Sequence, residues 1–162
     1  MNWHHYGIAL LLASLSTTTY AQTLQCKIVK VVDGDTVHCL ENRTQHKVRL
    51  DGIDAPERGQ AFGRKAQQVL SQRIIHQSVN LQLHGSDRYK RKIATVLLNG
   101  EDINAWLIRE GYAWAYRKHL RGKKKITYVA LENRARRYKL GLWIDGERAI
   151  YPEIYRKQRR NR

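Results

Sequence analysis

The chain has 162 residues, of which 30 are Lys or Arg and 14 are Asp or Glu, so its formal net charge at pH 7 is +16. This length suits one domain with a core and leaves little room for a second. A hydrophobic fraction of 42% excludes a disordered basic tail. The charge favours a polyanionic partner, namely nucleic acid, an anionic membrane surface or an acidic polysaccharide, although a basic surface that serves only solubility would also produce it.

The N-terminal segment is typical of a secretory signal. A short polar start precedes the apolar run Gly7–Leu15, and Thr19 and Ala21 place small residues at the two positions that flank a signal-peptidase cut. His4 and His5 stand where Lys or Arg is usual. Because the apolar run is too short to span a bilayer, we predict a cleaved signal and export to the periplasm or the medium, with an uncleaved anchor as the alternative.

The mature chain begins with a strand pattern and then changes period. Two runs rich in β-branched residues flank an Asp-Gly-Asp break, and a third run follows a polar turn. In later segments, apolar residues recur either every three or four positions, as in helices, or at every second position, as in strands. Asp102 is suited to cap a short helix and Gly111 to end it. The predicted elements are strands at 26–32, 36–40, 45–50, 79–83 and 93–98, and helices at 62–77, 103–110 and 126–140.

This order of elements predicts a β-rich α+β fold. Helices inserted after the third strand and following the fifth indicate a five-stranded OB-like antiparallel β-barrel with about three α-helices, a shape often used to bind oligonucleotides. We expect a signal peptide at 1–21, one domain at 22–146 and a basic C-terminal tail at 147–162 that is a mobile arm from Arg156 onward.

The only cysteines are Cys26 and Cys39, which bracket the turn signal Asp33-Gly34. In an exported protein, an even cysteine count favours a disulfide. The centre of a direct Cys26–Cys39 pairing falls slightly ahead of Gly34, so a cross-strand disulfide would require a bulge or a tilted pairing. Two buried free thiols are the alternative.

The acidic residues of this basic chain are concentrated in one segment. Six of the 14 carboxylates lie between positions 33 and 57: Asp33, Asp35, Glu41, Asp51, Asp54 and Glu57. Grouping like charges is unfavourable without a cation, and oxygen ligands of this kind suit a hard ion such as Ca²⁺. Arg49 lies between the two groups, and a metal beside a guanidinium suits a phosphodiester. Each half alone is more often a hairpin turn or an ordinary loop.

Together these segments resemble the thermonuclease family, the staphylococcal (micrococcal) nuclease-like proteins. The resemblance covers roughly Leu24 to Trp143, and the segments that carry it are 33–37 (DGDTV), 49–57 (RLDGIDAPE), 87–91 (DRYKR), 104–113 (NAWLIREGYA) and 141–143 (GLW). It implies a Ca²⁺-dependent phosphodiesterase that cuts DNA and RNA with little sequence preference and leaves 3′-phosphate ends. We also expect the protein to be a monomer.

The resemblance also implies roles for individual residues. Asp35 and Asp54 would bind Ca²⁺ through their carboxylates and Ala55 through its carbonyl, where many relatives have threonine. Asp33 would act on the ion through water, whereas Glu41 and Asp51 are predicted to be surface or structural acids.

Three further residues are assigned to catalysis on the same basis. Glu57 would orient or deprotonate the attacking water. Arg49 and Arg91 would bind the phosphate and stabilise its developing charge.

The sequence departs from the family pattern at several positions. Lys90 stands where glycine is common, which predicts a different local turn beside Arg91, and the loop after Glu57 is much shorter than in the best-known secreted member. Tyr89 and Tyr116 are candidates for stacking on bases, with packing in the core or at the rim as the alternative. Tyr112 is predicted to pack in the core.

Two other functions remain compatible with parts of the sequence. A nucleic-acid-binding module of the same fold without catalysis is the main rival, and a protein that binds anionic lipid or polysaccharide explains the charge but not the acidic cluster. Retention of the complete set of predicted site residues favours the enzyme, since a binding module has no need for them: Asp35, Arg49, Asp54, Glu57 and Arg91.

Overall fold

The computed structural model describes residues 22–144 and 146–161, so the signal predicted at 1–21 lies outside the described residues. In chain order the elements are β1 (Thr23–Val31), β2 (Thr36–Glu41), β3 (Thr44–Leu50), β4 (Ile53–Asp54), α1 (Gly63–Ile74), β5 (Ser78–Ser86), β6 (Lys92–Leu98), β7 (Glu101–Asp102), α2 (Ile103–Arg109), β8 (Trp114–Ala115), α3 (Gly122–Arg137), two 3₁₀ turns (Gly141–Trp143 and Gly146–Arg148) and α4 (Pro152–Arg160). Among the helices of these ranges, none combines the length and apolar character that crossing a bilayer requires.

Five of the strands close into a barrel. The order β3-β2-β1-β5-β6 is antiparallel at each step, and β3 and β6 then pair in parallel, with Arg49 opposite Ile93. The predicted α+β fold with an OB-like five-stranded barrel is confirmed, whereas a fully antiparallel barrel was wrong because the closing pair is parallel. Short turns dictate the direction of strands that are adjacent in sequence, but β3 and β6 are joined by a long connection that leaves either direction open.

The β1–β2 hairpin explains how the two cysteines meet. The pairing shifts register between Ile28 and Lys30, which marks a bulge, and Ile28 rather than Cys26 lies opposite Cys39. Cys26 and Cys39 are therefore diagonal neighbours whose Cα atoms are 5.7 Å apart, and the structure joins them in a disulfide. Both features of the predicted pairing, the bulge and the tilt, are present.

The barrel interior is filled by the inward faces of the strands and sealed by two helices. Ile28, Val48 and Leu81 are among the strand residues with no exposed surface, and Leu70 of α1 and Leu107 of α2 pack onto them. Burial of each such side chain contributes about 1.5–3 kcal/mol relative to exposure. This core fixes the strand ends, at which the acidic residues lie.

Helix α2 is tied to the barrel by a buried amide. The Asn104 side chain has no exposed surface, donates to the carbonyls of Asp51 (2.9 Å) and Ala94 (3.1 Å), and accepts from the Val96 N–H at 3.1 Å. The predicted cap is present too, since the Asp102 carboxylate accepts from the Ala105 N–H at 2.9 Å. The amide thereby fixes the chain just after β3.

The C-terminal part of the chain differs most from expectation. Helix α3 begins at Gly122, four residues before the predicted start at Ile126. In place of a mobile basic arm from Arg156, residues Pro152–Arg160 form helix α4, which raises the number of described α-helices to four. Pro152 at the first turn is pre-set for a helix, and the helix begins beside a second small cluster in which Tyr151 packs on buried aromatic residues.

Candidate active site

Strand pairing brings the first acid and the first arginine together. Arg49, near the end of β3, lies opposite Thr36 at the start of β2, next to Asp35. The Leu50 N–H donates to the Asp35 carbonyl at 2.8 Å, which continues the ladder into the turn. The Arg49 Nη1 and the Asp35 Oδ2 are 3.0 Å apart as a direct consequence of this register.

A close approach of two backbones places Asp35 against the loop that carries Ala55. A Cβ at Gly34 would lie 2.6 Å from the Ala55 Cβ and 2.9 Å from the Ala66 Cβ, so only glycine fits between these segments. The Ala55 N–H donates to the Asp35 Oδ2 at 2.8 Å. The second oxygen of Asp35 accepts from the Thr36 hydroxyl at 3.1 Å, so the carboxylate is held at both ends.

Asp33 shapes the turn that carries Asp35. Its Oδ1 accepts from the Asp35 N–H at 3.0 Å, a bond typical of Asx turns. Burial raises the pKa of Asp33 to about 7, and the Asp35 carboxylate next to it adds to the rise. Asp33 thus positions Asp35 through the backbone.

Asp54 is the most deeply buried acid of the site. Its side chain is 1% exposed, and its Oδ1 lies 3.2 Å from the Arg49 Nη2, so Asp35 and Asp54 share one guanidinium. Burial raises the pKa of Asp54; a hydrogen bond from Arg156 counteracts that rise, and the nearby Asp35 charge adds to it. Repulsion between these two carboxylates is what the adjacent positive charges offset.

Glu57 is fixed by the short loop that the sequence analysis singled out. The Glu57 N–H donates to the Gln60 side chain at 3.1 Å, and the Gln60 N–H returns to the Glu57 carbonyl at 2.8 Å. A Cβ at Gly63 would lie 1.8 Å from that carbonyl, so α1 packs directly on it. The main chain of Glu57 is therefore rigid, while its side chain stays 37% exposed.

Arg91 reaches the same region through the parallel closure of the barrel. Since Arg49 pairs with Ile93, Arg91 lies only two residues before the partner of Arg49. Its Nε donates to the Asp87 Oδ2 at 2.7 Å, and its main-chain N–H donates to the Asp87 Oδ1 at 3.0 Å. Burial opposes ionisation of Asp87, but these hydrogen bonds prevail and lower its pKa. Lys90 between them has φ of 61°, the left-handed conformation that glycine favours.

Arg156 of α4 completes the cluster, although the sequence patterns predicted no role for it. Its Nη1 lies 2.7 Å from the Glu57 Oε1 and 3.3 Å from the Asp54 Oδ1, and its Nη2 lies 3.1 Å from the Asp54 Oδ2. Burial disfavours its charge, but the hydrogen bonds to Asp54 and Glu57 prevail and raise the pKa of Arg156. Every carboxylate oxygen of Asp54 thus accepts from a guanidinium.

These side chains line one cleft of about 800 Å³. Tyr89, which is 62% exposed, and Tyr116 also line it, whereas Tyr112 packs against the barrel core as predicted. The Arg88 and Arg91 guanidinium groups lie 4.8 Å and 5.5 Å from the centroid of the Tyr89 ring. The full lining is Asp33, Asp35, Thr36, Arg49, Asp54, Glu57, Arg88, Tyr89, Arg91, Tyr116, Glu153, Tyr155, Arg156, Arg159 and Arg160.

The predicted metal ligands form a sparse but chemically suitable donor set. Within residues 22–144 and 146–161, no three His, Cys, Asp or Glu side chains converge so as to hold a metal ion. A Ca²⁺ ion here would depend on Asp35, Asp54, the Ala55 carbonyl and water, all of them hard oxygen donors. In this structure Arg49 and Arg156 offset the repulsion between the two nearly buried carboxylates, and a divalent ion bound by them would add to that positive charge.

The sequence model of the family described as "Staphylococcal nuclease homologue" matches residues 47–145. The chain belongs to this family. The matched segment contains Arg49, Asp54, Glu57 and Arg91, whereas Asp35 lies before it and Arg156 after it.

Curated members of the family and similar proteins cover most of the chain. It is 38% identical to an uncharacterized endonuclease of Haemophilus influenzae over 82% of this chain and 73% of that protein. It is 41% identical to a protein named micrococcal nuclease of Shigella flexneri over 74% of this chain and 73% of that protein. A third relative, Protein ParB of Escherichia coli, is 35% identical over 95% of this chain and 90% of its own length.

A signal in the sequence could have located the additional arginine of this family member. Pro152 followed by Glu153 marks a helix start, and Arg156, Arg159 and Arg160 then recur at helical spacing on one face. That pattern predicts a helix with a basic face. Its packing against the distant Glu57 loop, however, depends on tertiary contacts that no local pattern encodes.

Proposed function

We propose that this member of the staphylococcal nuclease homologue family is a Ca²⁺-dependent nuclease that hydrolyses phosphodiester bonds of DNA and RNA. The observation that carries the proposal is the cleft in which Arg49, Arg91 and Glu57 surround the carboxylates of Asp35 and Asp54. The names of the relatives, endonuclease and micrococcal nuclease, support the same activity. The formal charge of +16 suits a polyanionic substrate.

Different residues of the cleft would bind the cation and the phosphate. Asp35, Asp54 and the Ala55 carbonyl would hold Ca²⁺, which supplies positive charge next to the phosphate when bound. Arg49 and Arg91 bind the non-bridging phosphate oxygens and stabilise the charge that grows on them. Asp87 holds Arg91 in place through its carboxylate.

Glu57 acts on the water. Its exposed carboxylate, on a rigid main chain, orients a water molecule and accepts its proton as the oxygen attacks phosphorus in line. The bond to the 5′-oxygen breaks, the leaving oxygen takes a proton from solvent, and the 3′-phosphate end remains. Arg156 contacts the Oε1 of Glu57, so Oε2 is the oxygen that accepts the proton while this contact is kept.

The deciding experiment is cleavage of plasmid DNA by the protein purified after expression of the full chain. We expect nicked, linear and then fragmented DNA with Ca²⁺ and none with EDTA. A gel shift with Ca²⁺ but without cleavage would support the non-catalytic binding module instead. Absence of both would favour the envelope-binding alternative, for which vesicles of anionic lipid are the direct probe.

The protein is further proposed to be exported and to act as a monomer in the periplasm or the medium. The Cys26–Cys39 disulfide supports an oxidising compartment. N-terminal sequencing of the protein from a periplasmic extract is expected to begin at Gln22. An intact Met1 in a membrane pellet would show an uncleaved anchor, and a sedimentation velocity run would reveal any oligomer.

A further inference from the structure

Helix α4 presents a set of arginines to the cleft. Arg156, Arg159 and Arg160 have the i, i+3, i+4 spacing that places side chains on one helix face, and all three line the cleft. In the described part of the chain, neither Arg159 nor Arg160 forms an ion pair with a carboxylate. Two exposed guanidinium groups at the edge of a cleft are available to bind the oxygens of an anionic ligand.

The helix is fixed in this position by contacts at its start. Lys118 and Glu153 form an ion pair at 2.7 Å. The Tyr151 ring packs on Trp114 with centroids 5.4 Å apart, and Pro152 is buried. The Gln60 side chain donates to the Ile150 carbonyl, which links the helix to the loop that carries Glu57. The arginine face therefore lies against the cleft because the fold holds it there.

Aromatic rings as well as positive charges line this cleft. Tyr155 of α4 lines it together with Tyr89 and Tyr116, and Tyr155 lies near the Glu57 loop, where a Cβ on Gly59 would be 3.1 Å from its hydroxyl. A groove with arginines for phosphates and tyrosines for bases matches the way single-stranded nucleic acids are bound. A free phosphate or a lipid headgroup has no base that could stack on these rings.

We propose that α4 is a substrate-binding element, in which Arg159 and Arg160 bind phosphates of a single strand that flank the scissile phosphate. Arg156 is its innermost residue and exchanges Asp54 and Glu57 for the phosphate as substrate and cation enter. This inference rests on the proposed function, since it deepens the description of the same site. Helix α4 lies outside the segment that matches the family model, residues 47–145.

The test compares two double variants that remove the same charge. Arg159→Gln/Arg160→Gln removes the cleft-facing pair of α4, whereas Arg134→Gln/Arg137→Gln removes two exposed arginines of α3 that do not line the cleft. Binding of a short fluorescein-labelled single strand is followed by anisotropy in EDTA over a series of salt concentrations. The α4 variant should bind roughly tenfold more weakly. Its slope of log K against log salt should fall by about 1.4, as expected for two lost phosphate contacts.

The control variant is expected to keep the wild-type slope. Equal loss in both double variants would overturn the inference, because a general effect of charge would explain it. If the wild type binds and cleaves nucleic acid and the α4 variant has the same affinity and salt dependence, the role of α4 is refuted while the proposed nuclease function stands. If the wild type neither binds nor cleaves, the proposed function fails as well.

Arg156 is tested by kinetics and by calorimetry. At saturating Ca²⁺, Arg156→Gln is expected to lower kcat/KM for an oligonucleotide about tenfold or more, since a contact to the phosphate is lost. Calorimetry without nucleic acid should show tighter Ca²⁺ binding, because the Asp54 carboxylate no longer pairs with Arg156. A rise in kcat/KM would mean that Arg156 blocks the site rather than binding substrate, contrary to the proposal.

Discussion

The cleft has two parts that differ in how they are held. The barrel part consists of Asp35, Arg49 and Asp54, whose side chains are 10%, 17% and 1% exposed. The outer part consists of Arg91 and Arg156, whose side chains are 28% and 40% exposed and are carried by a turn and a terminal helix. Strand register fixes the first part, whereas side-chain ion pairs position the second. A fixed acidic part suits a bound cation, and an adjustable basic part suits a long flexible substrate.

The largest expected effect concerns Glu57, which lies between the two parts. Glu57→Gln removes the proton acceptor and should lower kcat by about 10²–10⁴-fold while the fold is kept. The matched control is Glu41→Gln, an acid of equal exposure, 37%, that pairs with His46 outside the cleft. Cleavage rates on plasmid DNA and circular dichroism spectra check the pair. An unchanged kcat in Glu57→Gln would remove Glu57 from the mechanism.

The next effect probes the barrel part. Arg49→Lys keeps the charge but cannot span Asp35 and Asp54 with two nitrogens, so we expect kcat/KM to fall by about 10²–10³-fold. Stability should fall as well, because nearly buried carboxylates lose a charged hydrogen bond that contributes about 1.5–3 kcal/mol. Urea unfolding measures this loss. Arg43→Lys, on the exposed turn between β2 and β3, is the control. If Arg49→Lys and the wild type had the same free energy of unfolding, the Arg49 ion pairs would not contribute to stability, contrary to this prediction.

A smaller effect is expected in the outer part, where Asp87 positions Arg91. Asp87→Asn retains an oxygen for the main-chain N–H groups but loses the charged bond to the Arg91 Nε. We expect kcat/KM to fall about tenfold, equivalent to about 1.4 kcal/mol. Adding Arg91→Lys to Asp87→Asn should then cost less than Arg91→Lys costs alone in the wild type. Full additivity in this double-mutant cycle would show that Asp87 acts independently of Arg91.

The smallest effect is on stability alone. Lys90 has φ of 61°, a conformation that costs residues with a Cβ roughly 1 kcal/mol and glycine nothing. Lys90→Gly should therefore raise the free energy of unfolding by up to about 1 kcal/mol, less the added chain entropy of glycine. Lys90→Ala is the control, because it removes the lysine side chain but keeps the Cβ and hence the strained backbone. A lower stability of Lys90→Gly than of Lys90→Ala would contradict strain at this turn.

Local patterns predicted the strands that build the barrel part. β-Branched runs on both sides of Asp-Gly-Asp gave β1 and β2, and the hairpin alone brings Asp35 towards β3. The parallel closure between β3 and β6 could not be predicted in the same way, because it joins residues more than forty positions apart, such as Arg49 and Ile93. The resemblance to a known family, rather than spacing, supplied Arg91.

The outer part was harder to predict because tertiary packing forms it. The run of Arg and Lys from Arg156 onward has the composition of a solvated tail, although Pro152 and the helical spacing of the arginines are local signs of a helix. Tyr151 on Trp114 and Lys118 with Glu153 hold that helix to distant segments. Neither contact has a signature in the sequence, so Arg156 emerged only from the structure.

Calorimetric titration with Ca²⁺ in the absence of nucleic acid shows whether the barrel part holds a divalent cation. We expect one site in the wild type, at least tenfold weaker binding in Asp35→Asn, and wild-type affinity in Asp51→Asn, whose carboxylate pairs with Lys124 at 2.6 Å outside the cleft. No Ca²⁺ binding by the wild type, or the same affinity in Asp35→Asn as in the wild type, would contradict cation binding by the barrel part.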